Sequence, residues 1–174
     1  MTYTIRRATS ADAAAVADIA VRTFVDTFAA QNRAEDMDDY LGKTYGEVHQ
    51  RREIEDALSV TLLVEADGAP IGFAQLRRTE VPEGIDSDAS VQIARFYIDR
   101  SWHGRGLAQA LMAECDAVAQ TMGAATVWLG VWEHNERAIA FYKKCGFAEM
   151  GRMDFHLGSD HQVDVVLTRG VNQR

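Results

Sequence analysis

The chain has 174 residues, enough to bury a sizeable core without help from metals or disulfides. Its 18 Lys and Arg stand against 26 Asp and Glu, and the net charge of -8 argues against nucleic acid or an anionic membrane as the main partner. The same acidity fits a cationic substrate, but by itself it reads first as a surface that merely keeps the protein soluble.

There are two prolines and no Gly/Ser-rich, Gln-rich or repeated segment, so one domain spanning 1–174 is expected. Cys115 and Cys145 have no metal-ligand spacing and read as reduced packing residues; no metal is expected. MTYTIRRATS holds no apolar stretch of signal-peptide length, and no run approaches a membrane span. A cytoplasmic location is expected.

Thr4 to Arg7 reads as a short first strand, ended by Thr9-Ser10, which offers an N-cap. A helix follows to about Phe28, with Ala14, Ile19, Val21 and Phe24 on or near its buried side. A second helical region, MDDYLGKTYGEVHQRREIEDAL, is interrupted around Gly42 to Gly46 and alternates acids and bases as a solvated face does. Val60 to Ala66 and Ile71 to Leu76 are predicted to pair antiparallel about the hairpin dipeptide Asp67-Gly68. Arg77 to Ala89 is a polar loop.

Val91 to Ile98 is apolar, rich in β-branched and aromatic residues, and stops at Asp99, as a buried strand should. HGRGLA follows at once. Gly104 and Gly106 allow positive φ and close approach of a ligand to the main chain. Leu107, Leu111, Cys115, Val118 and Met122 then recur at helical spacing, so a helix N-terminus coincides with the glycine turn. Unpaired amides and the positive end of a helix dipole converge there, which suits a phosphate or pyrophosphate. The nucleotide-triphosphate loop is excluded, because no Lys followed by Ser or Thr comes after the glycines; the dinucleotide fingerprint lacks its third glycine.

Thr126 to Val131 reads as another buried strand, and Asn135 to Cys145 as a helix that Asn135 caps and Gly146 stops. Phe147 to Leu157 and Val163 to Thr168 make a closing strand pair about Gly158-Ser159-Asp160.

The order strand, HGRGLA, helix, TVWLGV and NERAIAFYKKCGF resembles the GNAT family of acetyl-coenzyme A-dependent N-acetyltransferases. The family's phosphate motif falls on His103, Gly106 and Ala108, with His103 in place of the usual Gln or Arg. Its second signature is met without a gap by Asn135, Ala138, Phe141, Tyr142, Gly146 and Phe147. Within the family, WLGVWEHNERAIAFYKKCGF followed by FHLGSDHQVDVV is similar to bacterial spermidine/spermine-acetylating enzymes. The resemblance implies an α/β fold with a mixed, mainly antiparallel sheet of about six to seven strands flanked by helices. It also implies a splayed strand pair where acetyl-coenzyme A enters, and a homodimer as one form of assembly.

The resemblance further implies roles. Backbone amides of His103, Gly104, Arg105, Gly106, Leu107 and Ala108 would hold the pyrophosphate. Main-chain groups of Phe96, Tyr97 and Ile98 would pair with the pantetheine arm as an added strand does. Tyr142 would be the general acid for the leaving thiolate, against the alternative of a ring packed in the core. Asn135 would bond the cofactor, or simply cap its helix. Glu133 reads as readily as a base as it does a loop residue, and His134 reads better as an exposed loop residue. Asp26, Glu35, Asp36, Asp38 and Asp39 would gather a polyamine by charge, or be a solvated face. Trp102, Trp128 and Trp132 read as packing residues.

The expected activity is acetyl transfer from acetyl-coenzyme A to a small amine, with polyamines as the favoured class. Acetylation of protein N-termini or lysines is the rival reaction. A non-catalytic acyl-coenzyme A sensor is the rival of another kind.

Overall fold

The computed structural model describes residues 2–86 and 88–171. Seven strands form one sheet: β1 (Thr4–Arg7), β2 (Ser59–Ala66), β3 (Ala69–Arg77), β4 (Ser90–Ile98), β5 (Thr126–Trp132), β6 (Ala148–Leu157) and β7 (Asp160–Gly170). Their order is β1-β2-β3-β4-β5-β7-β6, and every neighbouring pair is antiparallel except β4–β5. Five helices flank the sheet: α1 (Ala13–Phe28), α2 (Ala34–Thr44), α3 (Glu47–Glu55), α4 (Leu107–Thr121) and α5 (Glu136–Lys144). This is the expected mixed α/β architecture with helices on both faces.

Strand alternation divides the core in two. Val127, Leu129 and Val131 of β5 pack with Leu107, Leu111, Cys115 and Val118 of α4 and with Tyr142 of α5. Each large apolar side chain buried there contributes about 1.5–3 kcal/mol. On the opposite face, Val16, Ile19 and Phe24 of α1 pack with Met37, Tyr45, Leu63, Phe73 and Leu157. Ala14 is exposed and Ala13 takes its place against the sheet, because the α1 stripe runs through positions 13, 16, 20 and 24.

The helical break falls at Tyr45-Gly46, later than Gly42, which stays inside α2. Tyr45 is pulled into the second core, and its extended backbone stops α2 there. The hairpin at Asp67-Gly68 has positive φ at both residues, 51° and 78°, as a type I′ turn requires.

Candidate active site

β4 and β5 pair through only Ser90–Thr126, Val91–Val127 and Gln92–Trp128, and then separate. A register shift on the other side of β4, where Gln75 faces Arg95 but Leu76 faces Ile93, places a bulge at Ala94 and turns the strand away from its parallel neighbour. From Ile93 onward the edge of β4 facing β5 has no strand partner. Phe96, Tyr97 and Ile98 are therefore only half-buried although β4 is central in the sheet. A central strand with an open edge is a template for an extended ligand.

The glycine turn lies at the mouth of that gap. Gly104 and Gly106 have φ of 74° and 80°, and Gly106 is the left-handed N-cap of α4, with no side-chain cap closing the first turn. The first backbone bond back onto the turn runs from the Ala110 amide to the Gly106 carbonyl, so the amides of Leu107 and Ala108 precede it. A Cβ at either glycine would meet nothing within 4 Å; the glycines meet the demand for positive φ and leave open space in front of the amides. His103 has its own use: its Nε2 lies 2.9 Å from the Ile98 carbonyl and ties the turn to the end of β4. Arg105 lies over the Trp102 ring, 5.5 Å from its centroid.

Across the gap, Asn135 caps α5, its Oδ1 accepting from the Ala138 amide at 3.2 Å. Tyr142 is buried from the same helix, with its ring edge-on to Phe96, Phe141 and Phe147 at 5.4–6.2 Å between centroids. Burial pushes its hydroxyl well above the ordinary phenol range, with Cys115 and Cys145 adding to the rise, so it remains a proton donor at neutral pH.

On the α1/α2 face the gap is lined differently. Arg95 of β4 pairs with Glu53 of α3 and lies 5.0 Å over the Tyr45 ring. Tyr97 stacks on Phe73, and burial first, then Tyr45, Tyr40 and Tyr142, hold its phenol protonated. Tyr97 and Tyr142 lie on opposite faces of the sheet, Tyr142 in the first core and Tyr97 against the second. A cleft of about 310 Å³ opens beside the gap, lined by Thr27 and Phe28 at the end of α1 with Gln31 beyond it, by Trp132 at the end of β5, and by His134 and Asn135 after that strand.

Trp132 forms that cleft's aromatic wall with Phe28, 6.1 Å between rings, whereas Trp128 is packed in the interior and Trp102 packs edge-on to Tyr3. Opposite Trp132 in the ladder stands Asp164 of β7, half-buried. Burial raises its carboxyl to about 6. Glu133 is held elsewhere, by Arg152 at 2.6 Å, and His134 is exposed. Sequence reasoning missed Asp164, Tyr40 and Arg95; in β7 the alternation of polar and apolar residues was visible, but the face the polar ones take depends on where the helices pack.

Both cysteines are free, and burial raises their thiols. A raised thiol disfavours the thiolate that a nucleophilic cysteine needs. Among the described residues no group of His, Cys, Asp and Glu is arranged to hold a metal, and no helix is long and apolar enough to cross a membrane.

The model of the acetyltransferase (GNAT) family matches residues 15–147. An uncharacterized N-acetyltransferase of Lactobacillus delbrueckii subsp. lactis is 32% identical over 88% of this chain and 88% of its own length. The aminoglycoside N(6')-acetyltransferase type 1 of Stenotrophomonas maltophilia is 29% identical over 86% of this chain and 89% of its own. The spermine/spermidine N(1)-acetyltransferase of Bacillus subtilis is 28% identical, but over 52% of this chain and 60% of its own. The crystal structure of the PaiA N-acetyltransferase from Thermoplasma acidophilum in complex with coenzyme A superposes with a TM-score of 0.79, covering 98% of this chain and 99% of that one at 19% identity.

Proposed function

We infer the reaction from one premise: the chain belongs to the acetyltransferase (GNAT) family and is an N-acetyltransferase. It transfers the acetyl group of acetyl-coenzyme A to a primary amine, and we propose a small polycation, a linear polyamine such as spermidine or spermine, as the acceptor class. The observation that carries the reading is the three-pair limit of the β4–β5 contact with the left-handed Gly106 at its mouth. That arrangement leaves a strand edge for the pantetheine arm and helix amides for the pyrophosphate, and both fit the cosubstrate.

Acetyl-coenzyme A supplies the activated acyl group as a thioester. Amides from His103 to Ala108 hold its pyrophosphate, and the Phe96–Ile98 main chain pairs with pantetheine and offers an amide to the thioester oxygen. The Asn135 side chain, while capping α5, keeps its amide nitrogen for the ligand. The amine attacks directly, since no activated Cys is present to carry an acyl group. Tyr142 protonates the leaving thiolate. Glu133, which the sequence leaves open between a base and a loop residue, accepts from Arg152, so its carboxylate is already engaged.

Support for a polycation comes from the acidic composition, the aromatic wall of Phe28 and Trp132, which suits a cation face, and the partial match to the polyamine enzyme. The longer match to an aminoglycoside enzyme favours a second reading, an aminosugar polycation. Coenzyme A release measured with spermidine, spermine, an aminoglycoside, free amino acids and a lysine peptide separates these. Turnover of the peptide without turnover of either polycation class would reject the acceptor assignment.

A further inference from the structure

We propose that Asp164 is the general base that takes the proton from the acceptor ammonium, acting from the sheet face opposite Tyr142. The inference rests on the acetyltransferase reading and assigns a residue outside both sequence motifs.

Four observations place it. Asp164 faces Trp132 directly across the β5–β7 ladder, so its side chain emerges on the face where Trp132 and Phe28 wall the cleft. Gly130, one step inward on the same face of β5, leaves the room it occupies: a Cβ there would lie 3.0 Å from Asp164 Oδ2 and 3.3 Å from Met153 Sδ. No hydrogen bond or ion pair among the described residues engages its carboxylate. That is unlike Glu133, which Arg152 holds at 2.6 Å, and unlike Asp154, which His161 meets at 3.0 Å. Finally, Asp164 stands opposite Trp132, beyond the last β4–β5 pair at Trp128, and so lies beside the stretch where the two strands have parted.

The groups facing Asp164 are few. Gly130 and Trp132 from β5 and Met153 from β6 carry no charge, and Tyr40 from α2 is near enough to feel the carboxylate while its own buried phenol stays protonated. With no cation against it, burial alone sets its proton affinity, and a carboxyl at about 6 is matched to accepting a proton near neutrality.

The step balances. The ammonium gives one proton to Asp164, which passes it to solvent. The freed nitrogen pair forms the N–C bond to the thioester carbonyl as the C–S bond breaks. Tyr142 gives its proton to the thiolate sulfur, and the second nitrogen proton restores the tyrosine.

The test is the pH profile of kcat/KM for the full chain with acetyl-coenzyme A and whichever panel amine it turns over best, in wild type, Asp164→Asn and Glu133→Gln. In wild type the rate should rise through an ionisation near pH 6. Asp164→Asn should lose about 10²–10⁴-fold at pH 7, lack that ionisation, and recover as pH climbs and free amine accumulates. Stability supplies an independent readout. A carboxyl whose folded pKa exceeds its unfolded value stabilises the fold fully below the unfolded pKa, and that contribution is lost as pH rises through about 6. Asp164→Asn should therefore melt higher than wild type at pH 7.5, with the difference closing by pH 4, whereas a merely structural Asp would give a lower midpoint at both. Undiminished turnover in Asp164→Asn, or loss of the pH 6 ionisation in Glu133→Gln alone, overturns the assignment. Absence of turnover on every amine in wild type overturns the acetyltransferase reading beneath it.

Discussion

Phe147 donates its backbone amide to the carbonyl of Tyr142 at 3.1 Å, while the two rings meet edge-on at 5.7 Å. Between them Gly146 has φ of 87° and donates to the Lys143 carbonyl at 3.0 Å. Together these are the paired bonds and apolar contact of a Schellman ending. The spacing Tyr-x-x-x-Gly-Phe thus has a physical reason: the residues that stop α5 also fix the tyrosine beside the β4–β5 gap.

Replacing Gly146 with Ala tests that clasp. Space is not the obstacle, since the nearest atom to an added Cβ is Arg169 Cδ at 3.9 Å; the left-handed backbone is. The expected loss is about 1–2 kcal/mol in urea unfolding. Gly151→Ala, in β6 with nothing within 4 Å and no positive φ, is the control and should stay within about 0.5 kcal/mol of wild type. Equal effects at the two sites would remove the argument.

Much of the fold was legible because local signals agreed. Asp67-Gly68 named its hairpin, the glycine turn named the start of α4, and Asn135 and Gly146 named both ends of α5. The left-handed glycine turn ahead of α4 and the place of Tyr142 on α5 followed from motifs only a few residues long. What was hidden depends on contacts between distant segments. In the acid-rich run of α2, Asp36 looks like one more solvated charge, yet it is buried and accepts from the Ser159 amide at 2.7 Å and hydroxyl at 2.8 Å. Nor does any local pattern say that β4 and β5 part after Gln92, or that Asp164 emerges beside Trp132.

The Asp36–Ser159 link yields a second prediction. It docks α2 onto the β6–β7 turn, where Gly158 has φ of 61° and an added Cβ would come within 2.6 Å of Asp36 Cα. Gly158→Ala should therefore destabilise by at least the ~1–2 kcal/mol of the left-handed backbone, with the clash added. Asp36→Asn should lower the thermal midpoint without altering the acetyl-coenzyme A response. The Ser159 bonds hold the Asp36 carboxyl below its ordinary range, so their stabilisation is present above that range and is lost as pH falls beneath it. A midpoint gap between wild type and Asp36→Asn that persists undiminished into strong acid would contradict this account.

The glycine turn gives a third. Acetyl-coenzyme A binding only the native state should raise the thermal midpoint by mass action. Gly106→Asp should abolish that rise, because it sets a side chain and a negative charge in the open space before the α4 amides. Circular dichroism must show the fold intact, and a rise as large as wild type's would place the cosubstrate elsewhere.

Tyr142→Phe removes one hydroxyl and keeps the ring, so the contacts with Phe96, Phe141 and Phe147 survive while the proton donor is lost. As general acid catalysis contributes about 10²–10⁴-fold, kcat should fall by at least the lower figure, with the acetyl-coenzyme A dissociation constant nearly unchanged. A tyrosine that served packing alone would leave turnover intact. The stability profile gives a second check. The buried hydroxyl ionises at higher pH in the folded chain than in the unfolded one, so its contribution is present below about pH 10 and lost as pH rises toward the folded value. Wild type should therefore lose stability above pH 10 more steeply than Tyr142→Phe. If kcat drops less than about threefold while chemistry limits the rate, water or another group protonates the thiolate and the role assigned to Tyr142 fails.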